Sequence, residues 1–125
     1  MNEILHQLHS SIAATLIPAM FEGKNIDDLL DLRDRDPFDS SWVSAHESLD
    51  ENRLDAECLK LIDQIREQAY ASVYSITQNP DAAAYVSDDF GLIATALALN
   101  HHHDFIESLW AEYQAGRFPK GYLPA

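Results

Sequence analysis

The sequence contains few of the residues on which common catalytic and redox sites depend. Its 125 residues include one cysteine and four glycines. Because the lone Cys58 cannot form an internal disulfide, the sequence indicates a reducing compartment and predicts a cytoplasmic protein. The glycines form no Gly-x-Gly-x-x-Gly fingerprint, no phosphate-binding loop and no Gly-x-Ser-x-Gly elbow, which excludes the usual nucleotide cradles and hydrolase nucleophiles.

Positive charge is scarce as well. The chain has 8 Lys and Arg residues against 21 Asp and Glu residues, a net charge of −13 at pH 7. Non-specific nucleic-acid affinity comes from neutralising phosphates, and anionic membranes attract basic segments for the same reason. The apolar run at residues 12–21, the longest that we considered, is about half as long as a membrane span. We therefore expect neither direct nucleic-acid binding nor membrane binding.

The spacing of apolar residues is helical along almost the whole chain. Hydrophobic residues make up 46% of the sequence, and no repeat or flexible linker interrupts it, so we expect residues 1–125 to form one domain. A first helix is predicted to end or kink before Pro18. Asn25 is a suitable N-cap for a second helix, and a third is predicted to start at Asp39 or Ser40.

The clearest periodicity predicts a helix over residues 51–77. Charged residues such as Arg53 and Glu67 lie on the side opposite to its apolar stripe. Cys58 belongs to that stripe, so we expect it to be a small buried residue and not a nucleophile, which needs access and a lowered pKa. The stripe consists of Leu54, Cys58, Leu61, Ile62, Ile65, Ala69, Val73 and Ile76.

Asn79 and Pro80 together form the next strong helix start, a capping residue followed by proline at the first helical position. Over residues 90–99 Thr95 is the only polar side chain, and a helix that is apolar nearly all round is normally surrounded by other helices. We therefore predict that a helix at about residues 80–99 forms the centre of the fold, with Gly91 allowing a neighbouring helix to approach closely.

The C-terminal part predicts one more helix and a returning tail. Residues 105–113 are amphipathic, and Gly116 terminates the pattern. The tail retains Phe118, Tyr122 and Leu123, which favours packing against the body of the protein. The sequence as a whole predicts an all-α fold, a single compact bundle of about five to six helices.

Two groups of histidines are the candidates for a metal site. Glu3, His6 and His9 recur every third residue, which resembles half of the di-iron site of some four-helix bundles, but the second Glu-x-x-His motif is absent. The run from His101 to His103 is consecutive, so its side chains diverge and suit a turn better than one ligand sphere. We predict no metal and no cofactor, and a metal-binding helical bundle is the lesser alternative.

Adjacent acids such as Asp50-Glu51 and Asp88-Asp89 are the candidates for acid–base chemistry. Catalytic carboxylates need a cleft that separates their pKa values, whereas most of these acids are expected in first turns of helices, where capping and the helix dipole explain them. No set of residues supplies a nucleophile, a base and a charge stabiliser together, so the sequence predicts a protein that is not an enzyme.

Negative charge is concentrated in one segment. Residues 22–57 carry 12 acids and 4 bases, whereas the other 89 residues carry 9 acids and 4 bases. Phe38 and Trp42 lie among these acids, and an acidic surface with aromatic anchors suits a basic protein partner. The alternative is a solubilising surface with both aromatic residues in the core. The predicted contacts are Asp34, Asp36, Asp39, Trp42, Glu47, Asp50 and Glu51.

In size, acidity and lack of catalytic motifs the chain resembles the immunity proteins that neutralise basic bacterial toxins, nucleases especially. The resemblance implies a non-catalytic inhibitor that binds a basic, toxin-like protein. A variant is a nucleic-acid mimic, whose carboxylates take the places of phosphates and compete with DNA for the partner. The remaining alternative is a homo-oligomeric helical scaffold or regulator, such as a homodimer, that uses the exposed parts of Trp110, Tyr113 and the aromatic tail.

Overall fold

The computed structural model describes residues 2–11, 20–21 and 23–120, and these residues form an all-α fold. Six α-helices and one short 3-10 helix follow one another without a strand in these ranges, which confirms the predicted fold class. The helices are α1 (Asn2–Ser11), α2 (Ile26–Arg33), α3 (Phe38–Glu47), α4 (Ala56–Thr77), α5 (Pro80–Leu99) and α6 (Asp104–Gln114), with the 3-10 helix at Glu51–Arg53.

Helix α5 is the centre of the fold, as its apolar sequence predicts. It packs along α4 and also contacts α1, α2 and α6. By length and composition α5 could cross a membrane, but 72% of its most apolar stretch is buried inside the fold, as in the core helix of a globular bundle. The apolar run at residues 12–21 lies for the most part outside the described residues.

Two successive caps explain why α4 begins later than the periodicity predicts. The predicted start is residue 51, but Asp50 accepts a hydrogen bond from Asn52 N at 3.1 Å and caps the 3-10 helix. Asp55 then accepts a hydrogen bond from Cys58 N at 2.8 Å and caps α4. Because each side chain satisfies a backbone N–H at a helix start, the chain makes two starts instead of one long helix.

The other helix starts are close to their predicted positions. Asn25 caps α2 through a hydrogen bond from Asp28 N at 3.1 Å, and Asn79 caps α5. Helix α3 begins at Phe38, slightly before the predicted start at Asp39 or Ser40. The side chain of Phe38 is buried, so the first residue of α3 already belongs to the core.

The two ends of the chain are described in part. Helix α1 packs on α4 and α5, and its predicted end near Pro18 lies outside the described residues. At the other end Phe118 is buried and contacts Phe21, with ring centroids 5.6 Å apart. The tail therefore folds back as predicted as far as it is described, and Tyr122 and Leu123 lie outside the described residues.

Candidate functional site

Inside the fold, one buried carboxylate and the three side chains hydrogen-bonded to it connect four helices. Asp89, in the middle of α5, is fully buried. Its Oδ1 accepts hydrogen bonds from Trp42 Nε1, 2.8 Å away, and from the Arg33 guanidinium, with which it forms an ion pair. Its Oδ2 accepts a hydrogen bond from the Tyr113 hydroxyl at 2.5 Å. These four residues, the Asp89 cluster, fasten α2, α3 and α6 to α5.

Arg33 is held by aromatic rings as well as by Asp89. Its guanidinium carbon lies 4.3 Å from the ring centroid of Phe38, 5.1 Å from that of Tyr85 and 5.3 Å from that of Phe118. Burial lowers the pKa of Arg33, but the neighbouring Asp89 carboxylate outweighs burial and raises the pKa above its ordinary value. The arginine therefore remains charged inside the fold, where its carboxylate partner balances it.

The sequence left open whether Trp42 lies at the acidic surface or in the core, and the structure places it at the boundary between the two. Its indole N–H is committed to the buried Asp89, and its ring stacks on His46 with centroids 5.4 Å apart. The side chain is only partly buried, so some of the ring remains at the surface. Trp42 thus joins α3 to the core and also keeps part of its ring at the surface.

The six predicted acidic contacts are all exposed, and three of them already accept hydrogen bonds. Asp34 accepts from the Tyr85 hydroxyl. Asp36 accepts from the backbone N and the Oγ of Ser40, at 3.1 and 2.6 Å, and Asp50 caps the 3-10 helix. Of the six predicted acidic contacts, the three without a hydrogen bond or an ion pair in the described structure are Asp39, Glu47 and Glu51.

Three of the predicted contacts come together in a groove between α2, α3 and α5. Asp34, Asp39 and Trp42 all line this groove, which has a volume of about 230 Å³. Helix α5 contributes Tyr85 and Asp88 to its other wall. We define this acidic groove by its lining residues Arg33, Asp34, Phe38, Asp39, Trp42, Val43, Tyr85 and Asp88.

The other predicted contacts lie outside the acidic groove. Glu51 borders a smaller recess of about 100 Å³, which Trp42 and Asp88 also line. Asp36, Glu47 and Asp50 are exposed on the same segment but line neither recess. The predicted contacts therefore come from one stretch of sequence, residues 34–51, but only three of the seven line the acidic groove.

Arg66 of α4 lines the smaller recess and is paired with Asp88, which lines both recesses. Its Nη2 donates a hydrogen bond to Asp88 Oδ1 at 2.9 Å, and both side chains are about half exposed. A Cβ atom added at Gly91 would lie 2.8 Å from Arg66 Cδ, so the glycine makes room for this side chain. The predicted close approach at Gly91 is thus made by an arginine side chain.

The residues that the sequence analysis missed are Arg33, Tyr85, Asp88 and Asp89. The sequence names the Asp88-Asp89 pair only among the adjacent acids that are candidates for acid–base chemistry, and the structure places it in the middle of α5. The sequence did contain a signal for this site, namely two adjacent acids inside an otherwise apolar helix. An acid that is buried in such a helix needs a hydrogen-bonding or charged partner, which points to a polar cluster. Arg33, in the same way, follows the buried Leu29 and Leu30 of α2.

The histidine groups do not assemble into a ligand set. Among the described residues no three His, Cys, Asp or Glu side chains are close enough to share a metal ion. Glu3 and His6 are exposed, and His101 instead lies 3.3 Å from the Ser48 hydroxyl and stacks near His103. These positions suit surface and turn residues, and the metal hypothesis gains no support from them.

The predicted oligomer contact is wrong for Tyr113 and for Phe118 of the tail, because both are buried. Tyr113 is fully buried, because its hydroxyl reaches Asp89, and Phe118 is 3% exposed. Trp110 is partly buried against Phe90, with ring centroids 6.0 Å apart. Tyr113 and Phe118 therefore stabilise the fold, whereas part of Trp110 remains exposed.

Comparison with known proteins gives one family. The family model described as Immunity protein PIM1 matches residues 3–120. The matched range contains the whole Asp89 cluster and the whole acidic groove. No curated protein matches the chain.

Proposed function

Because the chain belongs to the Immunity protein PIM1 family, we propose that it neutralises a basic protein toxin by binding it through the acidic surface around Trp42. The observation that carries this proposal is the acidic groove, which places Asp34, Asp39 and Trp42 in one depression. Binding needs no cofactor and no catalytic group, and the proposed location is the cytoplasm, where the immunity protein meets an incoming toxin.

The charge of the chain supports a basic partner. The net charge is −13, and all six predicted acidic contacts are exposed on the segment from Asp34 to Glu51. Clustered charge of one sign speeds the encounter with an oppositely charged protein and suppresses the binding of other partners. Part of the Trp42 ring adds an apolar contact at the centre of this surface.

The Asp89 cluster supports the proposal because it fixes the surface before a partner arrives. Arg33 ends α2 and Trp42 lies in α3, and both are hydrogen-bonded to the same carboxylate of α5. Less conformational entropy is lost on binding when the contact residues already occupy their positions. The inhibitor can therefore act by occlusion with a preformed surface.

A pull-down from extract of the organism that makes the protein tests the proposal. We expect a single basic protein that binds at low salt, binds less at moderate salt, and is toxic to cells unless the chain is co-expressed. Competition by DNA for that partner would identify the nucleic-acid mimic variant. An extract that yields no basic partner at either salt concentration, or a partner without toxicity, would contradict the proposal.

Charge reversal locates the interface. The variant Asp39→Lys/Glu47→Lys changes two exposed carboxylates without hydrogen bonds or ion pairs in the described structure, whereas a change at Asp36 would also remove two hydrogen bonds from Ser40. The matched control is Asp63→Lys/Glu67→Lys, two exposed acids of α4 that line neither recess beside Trp42. We expect loss of protection from the first variant only.

A further inference from the structure

The acidic groove has the size of one long side chain. Its volume of about 230 Å³ is below the roughly 300–1,000 Å³ of pockets that bind drug-sized ligands. Its walls come from α2, α3 and α5, which the Asp89 cluster fastens together. The groove is therefore a preformed depression that suits a projecting side chain of a protein partner.

The charges around the groove favour a cation. Asp34, Asp39 and Asp88 contribute three carboxylates, and the positive charge of Arg33 is already balanced by Asp89 inside the fold. Asp39 has no hydrogen bond or ion pair in the described structure. Asp88 is already paired with Arg66 through its Oδ1 at 2.9 Å, and Asp34 accepts from the Tyr85 hydroxyl. Asp39 is therefore the carboxylate of the groove that a positively charged occupant would meet without a competing partner.

The aromatic residues of the groove favour a planar cation. Tyr85 lines the groove with its aromatic ring, and its hydroxyl donates a hydrogen bond to Asp34. Trp42 contributes a second aromatic side chain. Rings beside carboxylates are the combination that binds guanidinium groups, because guanidinium stacks on aromatic faces and pairs with carboxylates through a planar fork of donors.

The chain already binds one guanidinium in this way. Arg33, which lines the groove, lies over the rings of Phe38 and Tyr85 and is paired with Asp89. On the basis of the function proposed above, we propose that the acidic groove receives one arginine side chain of the toxin. The guanidinium pairs with Asp39, shares the Asp88 carboxylate with Arg66, and contacts the exposed part of Trp42.

Titration with a minimal arginine tests this inference without the toxin. The probe is N-acetyl-arginine N-methylamide, added to the uniformly ¹⁵N-labelled chain and followed by amide and indole NMR shifts. The neutral control probe is the citrulline analogue, which has nearly the same shape. We expect saturating shifts at the Trp42 indole N–H and at the amides of Asp34, Asp39 and Asp88, with a millimolar Kd, and no saturation with citrulline.

Two variants and a second cation sharpen the result. Asp39→Asn should weaken arginine binding about three- to fivefold, the range of one exposed ion pair. Asp27→Asn, which removes a similar first-turn carboxylate from α2 outside the groove, should change the Kd less than twofold. The lysine analogue should bind more weakly than arginine, since it lacks the planar fork.

The inference is overturned if the shifts spread evenly over the exposed acids, if citrulline shifts the same resonances, or if lysine binds as tightly as arginine. It is also overturned if both asparagine variants behave alike. None of these outcomes depends on finding the toxin. If a toxin is captured and neutralised but the groove does not bind arginine, only the proposal of an arginine site is refuted. If the groove binds arginine but no toxin is found, the proposal of toxin neutralisation is refuted and the arginine site remains supported.

Discussion

At the scale of single residues, Asp89 carries a buried negative charge that donors from three other helices share. Arg33, Trp42 and Tyr113 satisfy it, and each of them would be left with an unpaired polar group if the carboxylate were lost. Buried ion pairs contribute little net stability compared with apolar replacements, but breaking one by removing a single partner costs about 3–5 kcal/mol. The position of the acidic surface therefore depends on this side chain.

We expect Asp89→Asn to lower the free energy of unfolding by about 3–5 kcal/mol, because it leaves the Arg33 charge buried without its partner. The neighbouring variant Asp88→Asn removes a half-exposed ion pair with Arg66 and should cost less than about 1 kcal/mol. Urea unfolding followed by circular dichroism measures both. Equal losses in the two variants would show that the Asp89 cluster does not have this role.

Tyrosine ionisation should make the fold sensitive to alkali. Burial raises the pKa of Tyr113 well above its ordinary value of 10, and the hydrogen bond to Asp34 raises that of Tyr85 to about 12. The unfolded chain then releases these protons first, so this contribution to stability is complete below pH 10 and is lost as the pH rises towards and beyond 12.

The double variant Tyr85→Phe/Tyr113→Phe should therefore show a flatter stability curve above pH 10 than the parent chain. Urea midpoints measured between pH 8 and pH 12 would reveal the difference. A parent curve that stays level across this range, or a double variant that falls equally steeply, would contradict the assignment of these two groups.

At the scale of helices, local signals set the ends and long-range contacts set the arrangement. Asn25 and Asn79 are recognisable caps because the residues that they bind follow within three positions. The contacts of Asp89 could not be predicted in the same way, since its partners are 56, 47 and 24 positions away. The apolar sequence of α5 identifies it as the central helix, but it does not reveal which donors surround one buried acid.

The C-terminal end of α4 offers a test of helix termination. Gln78 adopts the left-handed conformation with φ of 51°, which side chains with a Cβ atom adopt at a cost of about 1 kcal/mol. Gln78→Gly should relieve this cost and stabilise the fold by about 0.5–1 kcal/mol. The control, Gln64→Gly in the exposed interior of the same helix, should destabilise it by about 1 kcal/mol. Thermal unfolding would show opposite shifts, and two downward shifts would contradict the cap.

At the scale of the whole molecule, charge distribution was readable from the sequence and surface shape was not. The excess of acids over residues 22–57 identified the side that faces a basic partner in our proposal. The acidic groove on this side also depends on α5, because its lining residues Tyr85 and Asp88 lie far from residues 22–57 in sequence. The resemblance to immunity proteins rested on size and charge, and the family match over residues 3–120 supports it independently.

The measurement that tests the central claim most directly is the association rate of the purified toxin with three forms of the chain at low and high ionic strength. The forms are the parent, Asp39→Lys/Glu47→Lys, and the control Asp63→Lys/Glu67→Lys. We predict that the first variant associates about tenfold more slowly at low salt, that the control stays within about twofold of the parent, and that the three rates converge as salt screens the charges. Equal slowing of both variants, or no slowing of the first, would contradict binding through the acidic surface around Trp42.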